Sequence, residues 1–237
     1  MIALIDGDIA VYRVGFASEG TPEAICRARM DEFLVDLLMY QVDCDDYEGF
    51  LTWDSQSNYR VKLAVTQPYK GNRKSPKPQH YDFLRNYLAD SWGFHKVVGQ
   101  EADDSMAQYA TRLGDSSIIC TIDKDLDQVA GWHYNFVQHR KYHVTPEQGF
   151  RSFCLQLLTG DRADNITGIR GCGPVGAAKL LESTTGYLAQ LKKVSERYRE
   201  VDSGSIERFK ENCYLLWMRR NENGSPELIE QLLKEIV

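Results

Sequence analysis

The sequence predicts an α/β protein built on a central, mostly parallel sheet. Three short apolar runs end in an acidic residue: 1–5 before Asp6, 47–53 before Asp54, and 117–122 before Asp123. Segments of helical character lie between these runs, and parallel strands need such crossover connections. Because the carboxyl ends of parallel strands meet at one edge of a sheet, where ligands bind, we expect the acids to gather there.

The remaining elements follow from hydrophobic spacing and from helix and turn signals. Apolar residues recur with helical period in 22–40, and helices are also predicted over 79–92, 101–113, 146–158, 186–191, 205–218 and 226–236. Residues 60–65 are predicted to be extended, and 132–144 to form a hairpin. Asp8 either adds a ligand beside Asp6 or caps the helix that follows.

Bulk composition is that of an ordinary globular protein. The chain has 237 residues and six scattered cysteines without a C-x-x-C pair, which favours a reducing compartment over a disulfide framework. No apolar run is long enough for a signal peptide or a membrane span. We therefore expect a cytoplasmic protein with no membrane partner.

The charge is unevenly distributed. The net charge of −6 argues against a nucleic-acid partner, yet residues 55–81 contain six Lys or Arg residues and no acid. The adjacent tyrosines are suited to stacking on bases. We predict that this segment binds nucleic acid through Arg60, Tyr69, Lys74 and Lys77; a solvated charged loop is the alternative.

Acidic residues are unusually numerous at strand ends and turns. The candidates are Asp6, Asp54, Glu101, Asp103, Asp104, Asp123, Asp125, Asp161 and Asp164. Clustered acids without countercharge destabilise a fold, and all-oxygen ligands select Mg²⁺ or Mn²⁺. Two such ions about 3.5–4 Å apart catalyse phosphodiester hydrolysis, with Lys70 and Arg73 as catalytic cations that offset charge on the scissile phosphate.

A glycine-rich stretch follows Asp164. Gly171, Gly173 and Gly176 surround Pro174, which suits the first position of a helix. The stretch matches G-x-G-x-x-G, but no strand precedes it, so a dinucleotide site is disfavoured. A helix-hairpin-helix that binds a nucleic-acid backbone, with Lys179 on its second helix, is predicted; a ligand-free loop is the alternative.

Seven motifs, in their order and spacing, resemble the structure-specific 5′ nucleases, the flap endonucleases and 5′→3′ exonucleases of bacteriophages and of bacterial DNA polymerase I. They are Asp6-Gly7, Asp54, Arg60, 69–73 (YKGNR), 101–104 (EADD), 121–126 (TIDKDL), and 160–165 (GDRADN) continuing to Gly173-Pro174. The resemblance covers residues 1 to about 182, and the chain length is most similar to a bacteriophage or stand-alone enzyme of DNA replication.

The resemblance implies a PIN-like α/β nuclease domain over residues 1–158 with a helical arch at about 68–100, and a helix-hairpin-helix subdomain with C-terminal helices over 159–237. It implies that Asp6, Asp54, Glu101 and Asp103 hold one metal ion with Asp104 nearby. Asp123, Asp125, Asp161 and Asp164 would serve a second ion, and the hairpin would hold K⁺. Cys172 and Val175-Gly176 depart from the family pattern, so one phosphate contact that the family makes with duplex DNA is not expected here.

The predicted function is therefore a Mg²⁺-dependent 5′→3′ exonuclease or flap endonuclease. Its expected partners are DNA with a 5′ flap, a nick or a free 5′ end, and RNA primers in RNA–DNA hybrids, and we expect a monomer. Two alternatives stay open: a PIN-like ribonuclease acting on single-stranded RNA, and a non-catalytic DNA-binding module. The hairpin counts against the first, and the full acidic set counts against the second.

Overall fold

A six-stranded sheet forms the centre of the protein in the computed structural model, which describes residues 1–201, 205–221 and 223–236. The strands are β1 (Ile2–Asp6), β2 (Asp46–Asp54), β3 (His95–Val98), β4 (Ser117–Cys120), β5 (Gly131–Asn135) and β6 (Arg140–Val144). They lie in the order β3-β2-β1-β4-β5-β6, and all neighbours are parallel except β5 and β6. The predicted mostly parallel sheet is confirmed, with Asp6 at the end of a central strand.

Helices connect the strands and form the carboxyl-terminal part. They are α1 (Gly7–Ala17), α2 (Glu23–Asp36), α3 (Tyr59–Leu63), α4 (Tyr81–Ser91), α5 (Ala102–Leu113), α6 (Pro146–Thr159), α7 (Pro174–Leu181), α8 (Tyr187–Val201), α9 (Ser205–Leu216) and α10 (Glu227–Ile236). A two-stranded ribbon, β7 (Gly160–Asp161) and β8 (Ile166–Thr167), lies between α6 and α7. Within the described ranges, no helix has both the length and the apolar character needed to cross a membrane.

Alternate residues of β1 pack on opposite faces of the sheet. Ala3 and Ile5 join the apolar cluster that contains residues of α1, α2 and α4, whereas Leu4 joins the cluster on the α5 side. All three side chains are fully buried. This burial of both faces explains why the strand is a continuous apolar run without polar alternation.

The carboxyl-terminal helices share a separate apolar cluster with α6. Phe150, Phe153 and Leu157 of α6 pack there with residues of α8, α9 and α10. The division after residue 158 stays a prediction, although this packing joins α6 to the helices that follow it. Positions 202–204, 222 and 237 of the predicted second unit lie outside the described residues.

One local prediction needs correction, and the implied arch is not tested. Residues 60–65, predicted to be extended, begin within α3, because the Asn58 side chain accepts a hydrogen bond from Arg60 N–H and so caps a helical turn. The arch implied over about 68–100 stays a prediction: within this range 68–80 is irregular, α4 follows, and 92–94 is irregular before β3. Leu84 and Leu88 of α4 are fully buried in the core, and β3 belongs to the sheet.

Candidate functional site

Asp6 is held at the carboxyl edge by two hydrogen bonds. Its Oδ1 accepts from Ile9 N–H at 3.0 Å, which caps α1, and its Oδ2 accepts from the Thr121 hydroxyl at 2.7 Å. Burial, followed by the charge of Asp8, raises the pKa of Asp6 to about 7. The end of β1 therefore carries a buried acid that loses its proton at a higher pH than an exposed aspartic acid does.

Two further acids interact electrostatically with Asp6. Asp103 lies in the first turn of α5, and Asp123 follows β4 and accepts a hydrogen bond from Asp125 N–H at 2.9 Å. Burial, followed by the charges of Asp6 and Asp123, raises the pKa of Asp103 well above its usual value. Burial also raises the pKa of Asp123. The sheet edge thus gathers acids from three separate segments, as the strand-end pattern predicts.

The β7–β8 ribbon supplies Asp161 and Asp164. Asp161 Oδ1 accepts from Ala163 N–H at 2.7 Å and from Asp164 N–H at 3.2 Å, which closes the turn. A Cβ on Gly168 would lie 2.3 Å from Gly160 N, and Gly160 has φ of +72°. The ribbon therefore needs both glycines, and their close approach fixes the positions of the two acids.

Asp125 links the β4 end to this ribbon. Burial, followed by the charges of Asp123 and Asp161, raises the pKa of Asp125 to about 8. Mutual repulsion of this kind is relieved by a proton or by a cation. The electrostatics of the edge therefore favour the binding of positive charge.

The basic segment 69–73 docks onto the ribbon. Lys70 N–H donates to Asp164 O at 2.9 Å, and Arg73 Nη2 donates to Asp164 Oδ1 at 2.8 Å. The Tyr69 hydroxyl lies 2.7 Å from Glu101 Oε2 and 2.6 Å from Asp164 Oδ2. These contacts bring the predicted catalytic cations to the acidic cluster.

Glu101 is the acid of the site whose pKa is lowered. Burial alone would raise that pKa, but the Lys70 ammonium, which contacts Oε1, and the Arg60 guanidinium outweigh the effect. Glu101 therefore loses its proton more readily than Asp103, whose pKa is raised. Its charge keeps Lys70 at the rim of the cluster.

A cavity of about 940 Å³ opens at this edge. Its lining includes the cations Lys70, Arg73, Lys124 and Arg162, the acids Asp103, Asp123, Asp125, Asp127, Asp161 and Asp164, and the hairpin residues Gly171, Cys172, Gly173 and Pro174. One continuous space thus joins the acids, the basic segment and the glycine-rich turn. It is large enough for a ligand of several nucleotide-sized groups.

The donor set fits hard divalent cations. Asp6, Asp103, Asp123 and Asp125 are acids with raised pKa values, and carboxylate oxygens are the ligands of Mg²⁺ and Mn²⁺. Across the described residues, no group of three or more Asp, Glu, His or Cys side chains already has metal-holding geometry. The chemistry of the acids therefore suits a divalent metal ion.

Asp104 and Arg60 do not belong to the cavity, which corrects two predictions. Asp104 is fully buried, accepts hydrogen bonds from Arg60 through both oxygens, and accepts one from Arg219 N–H at 3.0 Å. Arg60 is 4% exposed and also donates to Leu215 O and Trp217 O. Both side chains are engaged in this buried pair, so neither is exposed to a ligand in the cavity.

Asp54 lies apart from the buried acids. It is exposed at the end of β2, where the pairing with β3 changes register, and its Oδ1 accepts from Gln56 N–H at 2.9 Å. The structure therefore gives Asp54 a turn-capping contact, and its role as a metal ligand stays a prediction.

The predicted DNA-binding residues fall into two groups. Tyr69 turns its hydroxyl to Glu101 and Asp164 and packs beside the carboxyl-terminal apolar cluster, and its role in DNA binding stays a prediction. The others are exposed: Lys74, Lys77, Gly171, Gly173, Gly176 and Lys179. Added Cβ atoms on Gly173 and Gly176 would meet open space, so a ligand backbone has room there.

The sequence analysis left the role of Asp8 open and did not predict Gln156. Asp8 accepts from Thr52 N–H at 3.1 and 3.2 Å, while Asp6 caps α1, so the capping alternative for Asp8 is wrong. Gln156 donates to Asp161 Oδ2 at 3.2 Å from α6. The Asp-Gly-Asp spacing had indicated Asp8 as a candidate site residue. No sequence motif indicated Gln156, because the residue to which it donates lies in the ribbon that follows α6.

The topology and the acid-lined edge define a PIN-like α/β protein. No protein-family model matches the chain. It is 31% identical over 168 residues to DNA polymerase I of Borreliella burgdorferi and 29% identical over 218 residues to thermostable DNA polymerase I of Thermus caldophilus, covering 62% and 84% of this chain. It spans only 18% and 26% of those two relatives.

Solved structures share the fold across nearly the whole chain. The bacteriophage T5 protein co-crystallised with metal ions has a TM-score of 0.68 at 17% identity, covering 99% of this chain and 97% of that one. The catalytic core of Rad2 in complex with DNA substrate has a TM-score of 0.53 at 14% identity, covering 100% and 79%. These likenesses show that the chain shares its fold with the T5 protein and with the catalytic core of Rad2.

Proposed function

We propose that the protein is a divalent-metal-dependent 5′ nuclease that hydrolyses phosphodiester bonds of DNA. One observation carries the proposal: acids from α5, the β4 end and the β7–β8 ribbon line one cavity together with Lys70 and Arg73, and Asp6 of β1 interacts electrostatically with Asp103 of this set. Repelling acids with raised pKa values serve no stabilising purpose in the absence of a cation. Basic side chains beside them suit a polyanionic substrate.

The acids divide by position into two groups that would hold two Mg²⁺ or Mn²⁺ ions. Asp6, Glu101 and Asp103 flank the centre of the edge, with Asp54 as a further proposed ligand, and Asp123, Asp125, Asp161 and Asp164 flank the ribbon side. Such ions lower the pKa of bound water and stabilise the leaving oxygen when present. The protein contributes the spacing of the acids, fixed by two strand ends and a glycine-dependent turn.

Lys70 and Arg73 would bind the scissile phosphate. Both line the cavity, and both now pair with acids of the site, Lys70 with Glu101 and Arg73 with Asp164. A phosphate that enters the cavity would provide oxygen atoms that accept hydrogen bonds from these cations in place of the carboxylate oxygens. They would thereby position the phosphate and offset the negative charge that develops on it.

The glycine-rich hairpin would bind the duplex part of the substrate. Gly171 has φ of +77°, Pro174 begins α7, and the turn between them borders the cavity. Exposed backbone groups at this helix start suit phosphate, and carbonyls of the turn suit a K⁺ ion. Lys179 would add a phosphate contact from the exposed side of α7.

The proposed substrates are DNA molecules with a 5′ flap, a nick or a free 5′ end, together with RNA–DNA hybrids. The related T5 flap endonuclease was crystallised with DNA and metal ions, and Rad2 with a DNA substrate. We further propose a cytoplasmic monomer. The six cysteines are all free thiols, in keeping with a reducing compartment.

Cleavage of 5′-labelled substrates tests the proposal. Purified protein with Mg²⁺ should release short 5′ products from flap, nicked and blunt DNA, and chelation should stop the reaction. Asp123→Ala should be inactive, whereas Asp115→Ala, an exposed acid remote from the cavity, should match the wild type. Intact substrates with Mg²⁺, or equal product from Asp123→Ala, would overturn the proposal.

A further inference from the structure

Two glutamine side chains form a hydrogen-bonded chain that ends on an acid of the site. Gln128 Nε2 donates to Gln156 Oε1 at 2.8 Å, and Gln156 Nε2 donates to Asp161 Oδ2 at 3.2 Å. Gln128 Nε2 also donates to Leu216 O at 2.9 Å, at the end of α9. Both glutamines line the cavity. This chain, here called the Gln128–Gln156 bridge, therefore connects the carboxyl-terminal helices to the ribbon.

The bridge joins two segments whose acids flank the ribbon side of the cavity. Gln128 ends the 3₁₀ turn Lys124–Gln128, which contains Asp125. Gln156 lies in α6, five residues before Asp161 of the ribbon. Both acids belong to the group that would hold the second metal ion. The bridge therefore links the two parts of the chain that supply one set of metal ligands.

The direction of each amide is set by groups that accept hydrogen bonds. Leu216 O is a carbonyl oxygen and Asp161 Oδ2 belongs to a carboxylate, so each is satisfied by an amide N–H. Gln156 then presents its oxygen to the second N–H of Gln128. Reversal of either amide would place two oxygens against each other at one end of the bridge. The bridge thus fixes a hydrogen-bond donor toward Asp161.

The backbone of Gln128 is fixed by two neighbours. A Cβ on Gly149 of α6 would lie 2.3 Å from Gln128 O, so the 3₁₀ turn approaches the α6 backbone closely at this glycine. Arg220 Nη2 donates to the same carbonyl at 2.5 Å. Gln128 is also only 1% exposed. An amide held in this way is a rigid support for the side chain of Gln156.

Stability alone does not explain the amide of Gln128. Within the described ranges, its Oε1 atom is buried and has no hydrogen-bond partner. A buried carbonyl oxygen without a partner lowers stability, and an apolar side chain of similar length would avoid this loss. The donor that Gln128 supports at Asp161 gives the amide a role.

The two oxygens of Asp161 have different partners. Oδ1 accepts from Ala163 N–H and Asp164 N–H within the ribbon, whereas Oδ2 accepts from Gln156. The ribbon restrains one oxygen and the amide restrains the other, so rotation of the carboxylate is limited. Hydrogen bonds that orient a metal ligand commonly change the metal affinity about 10–100-fold.

We propose that Gln156, supported by Gln128, is a positioning residue that orients the Asp161 carboxylate for the ribbon-side metal ion. This inference rests on the proposed nuclease function, and it adds two residues outside the acidic set that control the affinity for one ion. In the described part of the chain, the bridge makes no hydrogen bond to Asp6 or Asp103. The affinity for the other ion is therefore independent of the bridge.

Titration with Mn²⁺ in the absence of DNA tests the proposal. Binding is measured by calorimetry and by electron paramagnetic resonance of free Mn²⁺, and the ribbon-side ion is the one lost in Asp161→Asn. Gln156→Met keeps the length of the side chain without its hydrogen bonds. It should weaken binding of this ion about 10–100-fold and leave the other ion unchanged. If Asp161→Asn still binds both ions, the proposal is wrong.

The dependence of cleavage on Mg²⁺ provides a second measurement. The Mg²⁺ concentration that gives half-maximal cleavage should rise in Gln156→Met by about the same factor of 10–100. Saturating Mg²⁺ should largely restore the rate, because the variant keeps every proposed metal ligand. A lower rate with an unchanged Mg²⁺ dependence would contradict a role in metal affinity.

The two glutamines should act as one unit. Gln128→Met should weaken the same ion, because Gln128 acts through Gln156. The double variant should then bind this ion no more weakly than Gln156→Met alone. Additive losses in the double variant would contradict the bridge.

An amide pair at the start of α5 offers a matched control. The side chains of Gln100 and Gln108 donate to each other at 3.2 and 3.3 Å, and neither residue lines the cavity. Gln108→Met should leave both Mn²⁺ affinities unchanged. An equal loss of affinity in this control, or an unchanged ribbon-side affinity in Gln156→Met, would overturn the proposal.

Failure of the inference is distinguishable from failure of the proposed function. A protein that cuts 5′-labelled DNA with Mg²⁺ but keeps its ribbon-side affinity in Gln156→Met and Gln128→Met is a nuclease without this positioning device. A protein that neither cuts DNA nor binds Mn²⁺ contradicts both proposals.

Discussion

The Arg60 guanidinium donates hydrogen bonds to both oxygens of the Asp104 carboxylate, which is fully buried in the first turn of α5. The same guanidinium donates to two carbonyls at the end of α9, that of Leu215 in its last turn and that of Trp217 just after it. The pair therefore joins the helix that carries Asp103 to the carboxyl-terminal helices.

Loss of either partner should destabilise the protein strongly. Arg60→Met leaves Asp104 buried without its cation, and we expect a loss of about 3–5 kcal/mol in the free energy of unfolding, measured with urea. Arg197→Ala, which breaks the exposed pair with Glu200, should cost less than about 1 kcal/mol. Similar small losses for both variants would contradict a structural role for the buried pair.

Asp125→Asn should reduce cleavage yet stabilise the metal-free protein. The variant removes a ligand, so we expect at least about a hundredfold lower cleavage rate with Mg²⁺. It also removes a charge repelled by Asp123 and Asp161, so the melting temperature in EDTA at pH 8 should rise. The exposed Asp115→Asn should change neither quantity. A lower melting temperature for Asp125→Asn would show that the acid stabilises the fold by itself.

The metal-free protein should lose stability as the pH rises. The pKa values of Asp6 and Asp125 are raised from 3.8 to about 7 and about 8 by burial and neighbouring acids. An acid with a raised folded pKa stabilises the fold fully below its unfolded pKa, and this contribution disappears as the pH passes through the folded value. The melting temperature in EDTA should therefore fall between about pH 4 and pH 8.

Mg²⁺ should have the opposite dependence, because metal binding requires ionised carboxylates. The increase in melting temperature caused by Mg²⁺ should be small at pH 5 and large at pH 8. Differential scanning fluorimetry across this range measures both trends. A Mg²⁺ effect that shrinks as the pH rises would contradict the assignment of these acids to a metal.

Lys70→Met should slow the chemical step. We expect about a 10²–10³-fold lower single-turnover rate, because one preorganised cation at the phosphate is lost. Removal of the ammonium also leaves Glu101 without its main countercharge, so the pKa of Glu101 should rise. The exposed Lys62→Ala on α3 serves as the charge-matched control. Equal single-turnover rates for Lys70→Met and the wild type would exclude a catalytic role.

The two glycine positions around the ribbon should respond differently to alanine. A Cβ on Gly168 would lie 2.3 Å from Gly160 N, so Gly168→Ala should cost about 1–3 kcal/mol and displace Asp161 and Asp164. Gly173→Ala meets open space and should leave the unfolding free energy nearly unchanged while weakening duplex binding. Unfolding and binding measured on both variants test this separation, and equal stability of the two would contradict it.

The sequence by itself determined the architecture and the residue types of the site. Apolar runs ending in Asp6, Asp54 and Asp123 predicted parallel strands with acids at one edge, and this sheet is present. The glycine-rich turn before Pro174 and the helix start at Pro174 were also predictable from sequence, since proline and glycine have local conformational preferences. Such features depend on the spacing of apolar residues and on backbone sterics. Both are determined by residues that are close together in the sequence.

Tertiary structure alone decided which charged groups are paired and which face the cavity. Asp103 and Asp104 are adjacent in sequence, yet Asp103 lines the cavity and Asp104 forms a buried ion pair with Arg60. Tyr69 meets Asp164 across 95 positions of the chain. The physical reason is that the pKa and the partner of a buried side chain depend on segments distant in sequence, which only the folded chain brings together.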